Sequence, residues 1–306
     1  MSTPFSYFFK KFNQISPLEA DFTEVLESIA LKPKTLYFYG KMPENMLKNG
    51  KSERPKSVAI VGSRHNTRYG EEVAYKLAYD LAKHGVVVVS GLAYGIDSIS
   101  HQAALDAGGC TVAVLGTPID QIYPRSHKPL AAKIIERNGA IISEYAPGAK
   151  VYPKVSFLER NRLISGLADA VVVVEAADHS GTLNTAAHAL NQGKDVFAVP
   201  GNITSPYSVG CNRLIDQGAT PCLSSDTLLD YFFPERIRRH RKKINNLTGD
   251  SPLETAILRT IFSGKNNGEE IIEELKIETS EFNQTITMLE IKGRIRSLGA
   301  NYWTVI

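Results

Sequence analysis

The sequence predicts a doubly wound α/β fold: a mostly parallel sheet with helices on both faces, followed by a small winged-helix-like domain. Three observations carry this. Short aliphatic runs recur, SVAIV at 57–61, VVVV at 86–89, TVAVL at 111–115, AVVVV at 170–174 and VFAV at 196–199. Unalternated apolar runs of this length suit strands covered on both faces. Stretches of helical periodicity separate them, and glycine or serine follows the first three runs, the punctuation of strand–turn–helix units.

At 306 residues, 43% hydrophobic and 22% charged, the chain is long enough for one large domain or two. Its net charge of +3 permits a polyanionic partner without requiring one. Cys110, Cys211 and Cys222 are widely spaced, with no CxxC pair, and read as reduced thiols of a cytosolic protein. No apolar run approaches membrane-span length, and the N-terminus MSTPFSYFFKKF lacks a signal-peptide layout. A cytoplasmic location without membrane contact is expected.

In chain order, residues 1–34 read as a short leader with helical patterning between Pro17 and Ala30. TLYFY at 35–39 is β-branched and aromatic, and predicts a strand; the polar stretch 44–55 is a connection. SVAIV ends in Gly62-Ser63-Arg64 and leads to a helix over 70–83, with Val73, Leu77, Ala78 and Leu81 at helical spacing. The valine run leads through Gly91 and Gly95 to a helix over 96–105. TVAVL ends at Gly116, and a helix over 130–138 is closed by Gly139. AIIS at 140–143 is a short strand leading to Glu144. The strand at 170–175 is followed by Ser180-Gly181-Thr182 and a helix to Asn191. VFAV ends in Pro200-Gly201-Asn202, and 212–217 reads as a helix closed by Gly218. The composition then shifts to a basic run, ERIRRHRKK at 235–243, and a polar stretch. Helical patterning at 253–262, 269–275 and 280–291 precedes two short strands around Gly299-Ala300-Asn301, the outline of a winged helix. The division predicted is a leader at 1–34, the α/β domain at 35–234, a basic linker at 235–250 and the winged-helix-like domain at 251–306.

Open parallel sheets bind ligands at the carboxyl ends of their strands. Gathered there are Gly62-Ser63-Arg64, Ser90-Gly91, Gly116-Thr117, Glu175, Ser180-Gly181-Thr182 and Pro200-Gly201-Asn202. Such a rim of backbone N–H groups and hydroxyls suits phosphate. For the glycine turn at 91–95 alone, anion binding and tight strand–helix packing fit equally well. Gly62-Ser63-Arg64 is not GxGxxG and no acidic residue ends the following strand, so NAD is a poor match; Gly193-Lys194-Asp195 is not a P-loop. No cofactor is expected.

The other informative segment is KVSFLERNRLIS at 154–165. Lys154, Arg160 and Arg162 suit phosphates, and Phe157 an unpaired base. Residue types alone favour a blander alternative, in which Phe157 and Leu158 pack in the core and the arginines pair with Glu159 and Glu175. Asn161 fits the cap of a helix starting there. His101 and His188 fall inside predicted helices. Glu144 and Glu175 follow strands, and fit equally as groups acting on a ligand or as groups holding Arg64 or Arg160. No Ser–His–Asp order or metal-ligand spacing emerges, so no catalytic residue is expected. The segment 280–291 carries Glu281 and Glu290 but no Lys or Arg, which is weak equipment for reading a DNA groove.

Taken together, VAIVGSRHNTRYG, VVSGLAYGIDSISHQAAL, ISEYAPG, FLERNRLISGLAD, VVVVEAADHSGTLNTAAHAL, VFAVPGNI and GCNRLIDQGA, in that order between Leu36 and Tyr231, resemble the DNA-processing protein A family (DprA, also called Smf). The resemblance implies an extended Rossmann-like domain that binds single-stranded DNA, loads the RecA recombinase during natural transformation, forms a homodimer and carries no enzymatic activity. It places the DNA pocket at Arg64, Lys154 and Phe157, with Gly62, Ser63, Arg160, Asn161, Arg162, Ser180, Gly181 and Thr182 around them. That placement turns the reading of Phe157 from packing to base stacking. Three departures stand out. Thr117-Pro118 replaces a second glycine after Gly116, Glu159 stands where proline or a basic residue is common, and the leader is shorter than the helical domain many members carry. The competing expectation is a nucleotide-binding or nucleotide-cleaving Rossmann-like enzyme using Glu175 and the 180–182 turn. A weaker third is a duplex-DNA regulator using the winged helix.

Overall fold

The computed structural model describes residues 12–15, 26, 29–43, 55–236 and 247–306. The predicted leader helix and most of the basic run at 235–243 lie outside the described residues. The chain divides into two units, Met1–Leu229 and Asp230–Ile306.

Among the described residues, the first unit is built on a nine-stranded sheet. Its strands are β1 (Asn13–Ile15), β2 (Leu36–Gly40), β3 (Ser57–Val61), β4 (Val87–Ser90), β5 (Thr111–Leu115), β6 (Ala140–Ser143), β7 (Ala170–Val173), β8 (Asp195–Ala198) and β9 (Thr220–Pro221). The helices are α1 (Arg68–Lys83), α2 (Ile96–Asp106), α3 (Lys128–Glu136), α4 (Pro153–Leu167), α5 (Gly181–Asn191), α6 (Val209–Asp216) and α7 (Ser225–Phe232). The spatial order is β1-β2-β6-β5-β4-β3-β7-β8-β9. The seven strands from β6 to β9 run parallel, whereas β2 pairs antiparallel with β6, Phe38 opposite Ile142, and β1 with β2. The mostly parallel, doubly wound α/β sheet is therefore present, with an antiparallel pair at one edge.

The aliphatic runs explain the layering. Alternate residues of one strand serve opposite cores. Val112 and Val114 of β5 join Leu163, Ile164 and Leu167 of α4 and Ala186 and Ala189 of α5, while Ala113 and Leu115 join Leu105, Ala131 and Ile134 of the α2–α3 layer. A strand sandwiched this way has no solvent face, so it needs no polar alternation. Thr67 caps α1 and Ser180 caps α5, each with its side-chain oxygen on a helical N–H.

Two helix starts differ from expectation by three residues or more. The Arg-Asn-Arg helix begins at Pro153, where proline's fixed φ and missing N–H cost nothing. Asn161 therefore lies mid-helix and is not a cap. Helix α6 begins at Val209, three residues ahead of the predicted start.

The second unit holds α8 (Pro252–Phe262), α9 (Gly268–Leu275) and α10 (Thr279–Ile291), then a hairpin of β10 (Ile295–Gly299) and β11 (Tyr302–Val305). Ile257, Leu258, Ile261, Ile271, Phe282 and Leu289 form its core, with Trp303 edge-on to Phe282 at 5.6 Å. Among the described residues no helix is long and apolar enough to cross a membrane.

Candidate nucleic-acid interface

Within the parallel part of the sheet the strand order contains one reversal. From β3 the chain steps to β4, β5 and β6 in one direction; β7 then returns to the other side of β3, and β8 and β9 continue outward. Helices diverge at such a switch point and leave a crevice beyond the strand ends. A cavity of about 850 Å³ occupies it, walled by the segment after β3 and the 177–182 segment after β7.

Gly62 follows β3 against α2, where an added Cβ would lie 2.6 Å from Ile96 Cγ1. Its carbonyl accepts from Thr182 Oγ1 at 3.0 Å, tying the two walls together. The Ser63 carbonyl accepts from Ile96 N at 3.2 Å, and Ser63 Oγ accepts from His65 N at 3.1 Å. Arg64 is exposed, and its guanidinium carbon lies 5.5 Å from the centre of the Phe157 ring. Phe157 packs on Gly116, where a Cβ would meet Phe157 Cδ1 at 2.5 Å. The first turn of α5, with Ser180, Gly181 and Thr182, also lines the cavity. The positive end of that helix faces the same space as Arg64.

Two buried ionisable side chains, Arg160 and Asp97, also line the cavity. Arg160 is 4% exposed, and its Nη1 donates to the carbonyls of Gly91 (2.7 Å) and Val114. Burial pulls its pKa down to about 10, which leaves it charged at neutral pH. Asp97 is also buried and accepts from the backbone N–H groups of Gly91 and Ala93 at 3.1 and 3.4 Å. Burial pushes its carboxyl upward, while the Arg160 charge and the N–H donors pull the other way. Between them Leu92, fully buried, adopts φ of +57°, which costs a branched residue of this kind on the order of 1–2 kcal/mol. Asn161 donates from Nδ2 to the Gly181 carbonyl and Asn184 Oδ1, both at 3.2 Å, and so fastens α4 to α5.

The structure thus gathers Gly62, Ser63, Arg64, Phe157, Arg160, Asn161 and the 180–182 turn around one cavity. Lys154 and Arg162 are not among its lining residues. Lys154 is exposed near the start of α4. Arg162 points elsewhere: it forms a bidentate pair with Glu144 at 2.6 and 2.8 Å and donates to the carbonyls of Leu31 and Glu159. A guanidinium so fully engaged has little left for phosphate.

The two candidate carboxylates are structural as well. Glu144 holds Arg162, not Arg64 or Arg160. Glu175 is 2% exposed and accepts from Thr67 N (2.9 Å) and Thr67 Oγ1 (2.5 Å), orienting the cap of α1. Its carboxylate is engaged there and is not among the residues lining the cavity. Glu159 instead accepts from the Tyr145 hydroxyl at 2.8 Å. His101 is packed against Thr111 Oγ1 at 2.7 Å, and burial drops its pKa to about 3. Thr117 turns its loop by donating to the Gln121 carbonyl at 2.6 Å.

Asp178, His179 and Tyr207 also line the cavity and were not anticipated. They follow β7 and precede α6 as ordinary polar loop residues. Only the return of β7 beside β3 brings them to the site.

The chain as a whole is similar to known proteins. The family described as DNA recombination-mediator protein A matches residues 13–233, ending before the second unit's helices. Protein Smf of Escherichia coli is 45% identical over 177 residues, 56% of this chain and 46% of that protein. A DNA processing protein A structure from Streptococcus pneumoniae superposes with a TM-score of 0.64 at 38% identity, covering 73% of this chain and 75% of that one. A second, from Helicobacter pylori and solved for its single-stranded DNA binding mode, gives 0.63 at 30% identity, covering 74% and 97%. The chain spans about half the length of the Mycobacterium tuberculosis and E. coli relatives it matches. The family match covers well over half of the chain, and the chain belongs to the DNA recombination-mediator protein A family.

Proposed function

We propose that the first unit binds single-stranded DNA and passes it to the RecA recombinase, acting as a homodimeric, non-enzymatic recombination mediator in the cytoplasm during DNA uptake. The observation that carries this reading is the cavity at the β3–β7 switch point, where Arg64 lies over Phe157 beside the positive end of α5. A cation and a helix start suit phosphate, and an aromatic ring suits an unstacked base, a pairing that fits a flexible single strand better than a duplex. The H. pylori relative's single-stranded DNA binding supports the same reading. Capture falls to Arg64 and the exposed Lys154; Arg162 is a scaffold residue. The second unit we read as winged-helix-like. It is poorly equipped for duplex DNA, because Lys292 is paired with Asp250 and Glu254, both at 2.7 Å, and Arg294 donates to the Thr248 carbonyl.

Fluorescence anisotropy with labelled oligo-dT and a duplex, at two salt concentrations, tests the proposal. The wild type is expected to prefer the single strand and to weaken with salt. Arg64→Ala is expected to lose affinity and to lower the slope of log K against log[salt] by about 0.7. Equal binding of both forms, or none, overturns it.

A further inference from the structure

Phe157 is crowded. Gly116 lies against its ring, Arg64 stands 5.5 Å and Arg160 6.0 Å from its centre, and Tyr123 approaches to 5.4 Å at a tilt of 40°. A strand leaving the cavity past this ring next meets a second, narrow cleft lined by Arg64, Tyr94, Tyr123 and Phe157. Tyr94 and Tyr123 are each 49% exposed. Tyr94 is also held in place. The Tyr94 hydroxyl shares a 3.0 Å hydrogen bond with Ser126 Oγ, and its ring sits edge-on to His127 at 4.9 Å. His127 Nδ1 in turn bonds the Leu92 carbonyl at 2.9 Å, fixing this turn to the loop that carries Tyr94. Arg125 and Lys128 stand exposed on the same turn (Arg125–His127 and the start of α3).

We propose that Tyr94 and Tyr123 form a stacking track for the bases of the same single strand beyond the cavity, with Arg125 and Lys128 beside it for the phosphates. Half-exposed rings on a fixed turn lose little side-chain freedom on contact, and stacking on them is indifferent to base identity. Continuity with the cavity and the adjoining cations select nucleic acid as the occupant, since an apolar protein surface would leave those cations uncompensated. This inference rests on the single-stranded DNA reading above and assigns residues that reading does not use.

The test compares the wild type, Tyr94→Ala/Tyr123→Ala and Tyr94→Phe/Tyr123→Phe by anisotropy, with oligo-dT of about 4 and about 15 nucleotides and an abasic strand of the longer length. The alanine pair is expected to lose about tenfold or more on the longer oligo-dT, and less than about twofold on the shorter one and on the abasic strand. The phenylalanine pair keeps wild-type affinity, because the ring faces are retained. If the alanine pair binds the longer oligo-dT like the wild type, or loses equally on the abasic strand, the track is overturned while the cavity reading stands. If the wild type binds neither oligo-dT, the cavity reading itself fails and the track falls with it.

Discussion

Arg160 and Arg162 are two residues apart on α4, and both are buried, yet they do different work. Arg160 ties the ends of β4 and β5 beside the cavity, whereas Arg162 is consumed by Glu144, at the end of β6 and away from the cavity lining. Sequence shows two cations near an aromatic residue; only the helical phase separates them, about 200° of rotation for two positions. The glycines make the complementary point. At Gly62 a side chain would strike Ile96, and the Gly62 carbonyl also ties β3 to α5 through Thr182. Gly62→Ala is therefore expected to cost about 1–3 kcal/mol, read as a lower midpoint in urea unfolding. An unchanged midpoint would mean that Ile96 yields freely.

At the scale of elements, α4 is the piece that joins site to scaffold. It supplies Phe157 to the cavity, Asn161 to α5, Arg160 to the strand ends and Arg162 to Glu144. The Arg162–Glu144 pair is nearly buried, its side chains 9% and 13% exposed. Removing one member strands the other charge, so Arg162→Ala should destabilise the first unit by about 3–5 kcal/mol. Under conditions where the variant stays folded, its oligo-dT affinity should match the wild type; a selective loss of binding would return Arg162 to the interface. Most elements were legible in the sequence because the central strands are unbroken aliphatic runs and the helices carry clear periodicity. The exceptions have physical causes. β1 and β9 are two or three residues long and have no pattern to read, the eight-residue α7 is not predicted from the sequence, and the exposed Lys154 and Val155 in the first turn of α4 leave its start unmarked by apolar periodicity. The strand-end rim was legible as a list of turns. Which turns share the cavity was not, since that depends on β7 returning beside β3.

For the whole molecule, one source of acid sensitivity is the buried His101. The folded state holds His101 neutral down to about 3, while an unfolded chain protonates it near 6.5. Below 6.5 the unfolded state therefore binds the extra proton, and stability falls with pH until about 3, by up to about 1.4 kcal/mol per unit from this group. Replacing His101 with Gln should flatten the dependence of the urea midpoint on pH between about 6 and 4, measured at successive pH values; an unaltered slope would assign the loss to other groups. The topology has a further consequence, in the order of synthesis. The hydrogen bond between Gly62 and Thr182 spans 120 residues, and that between Thr67 and Glu175 spans 108. A nascent chain that has left the ribosome as far as Ser143 already owns β3 to β6, Arg64 and both exit-track tyrosines, but neither Phe157 nor the wall after β7. It can begin to assemble its sheet, yet the cradle closes only when the second half of the domain arrives. Translation thus withholds the site until the scaffold that supports it is complete.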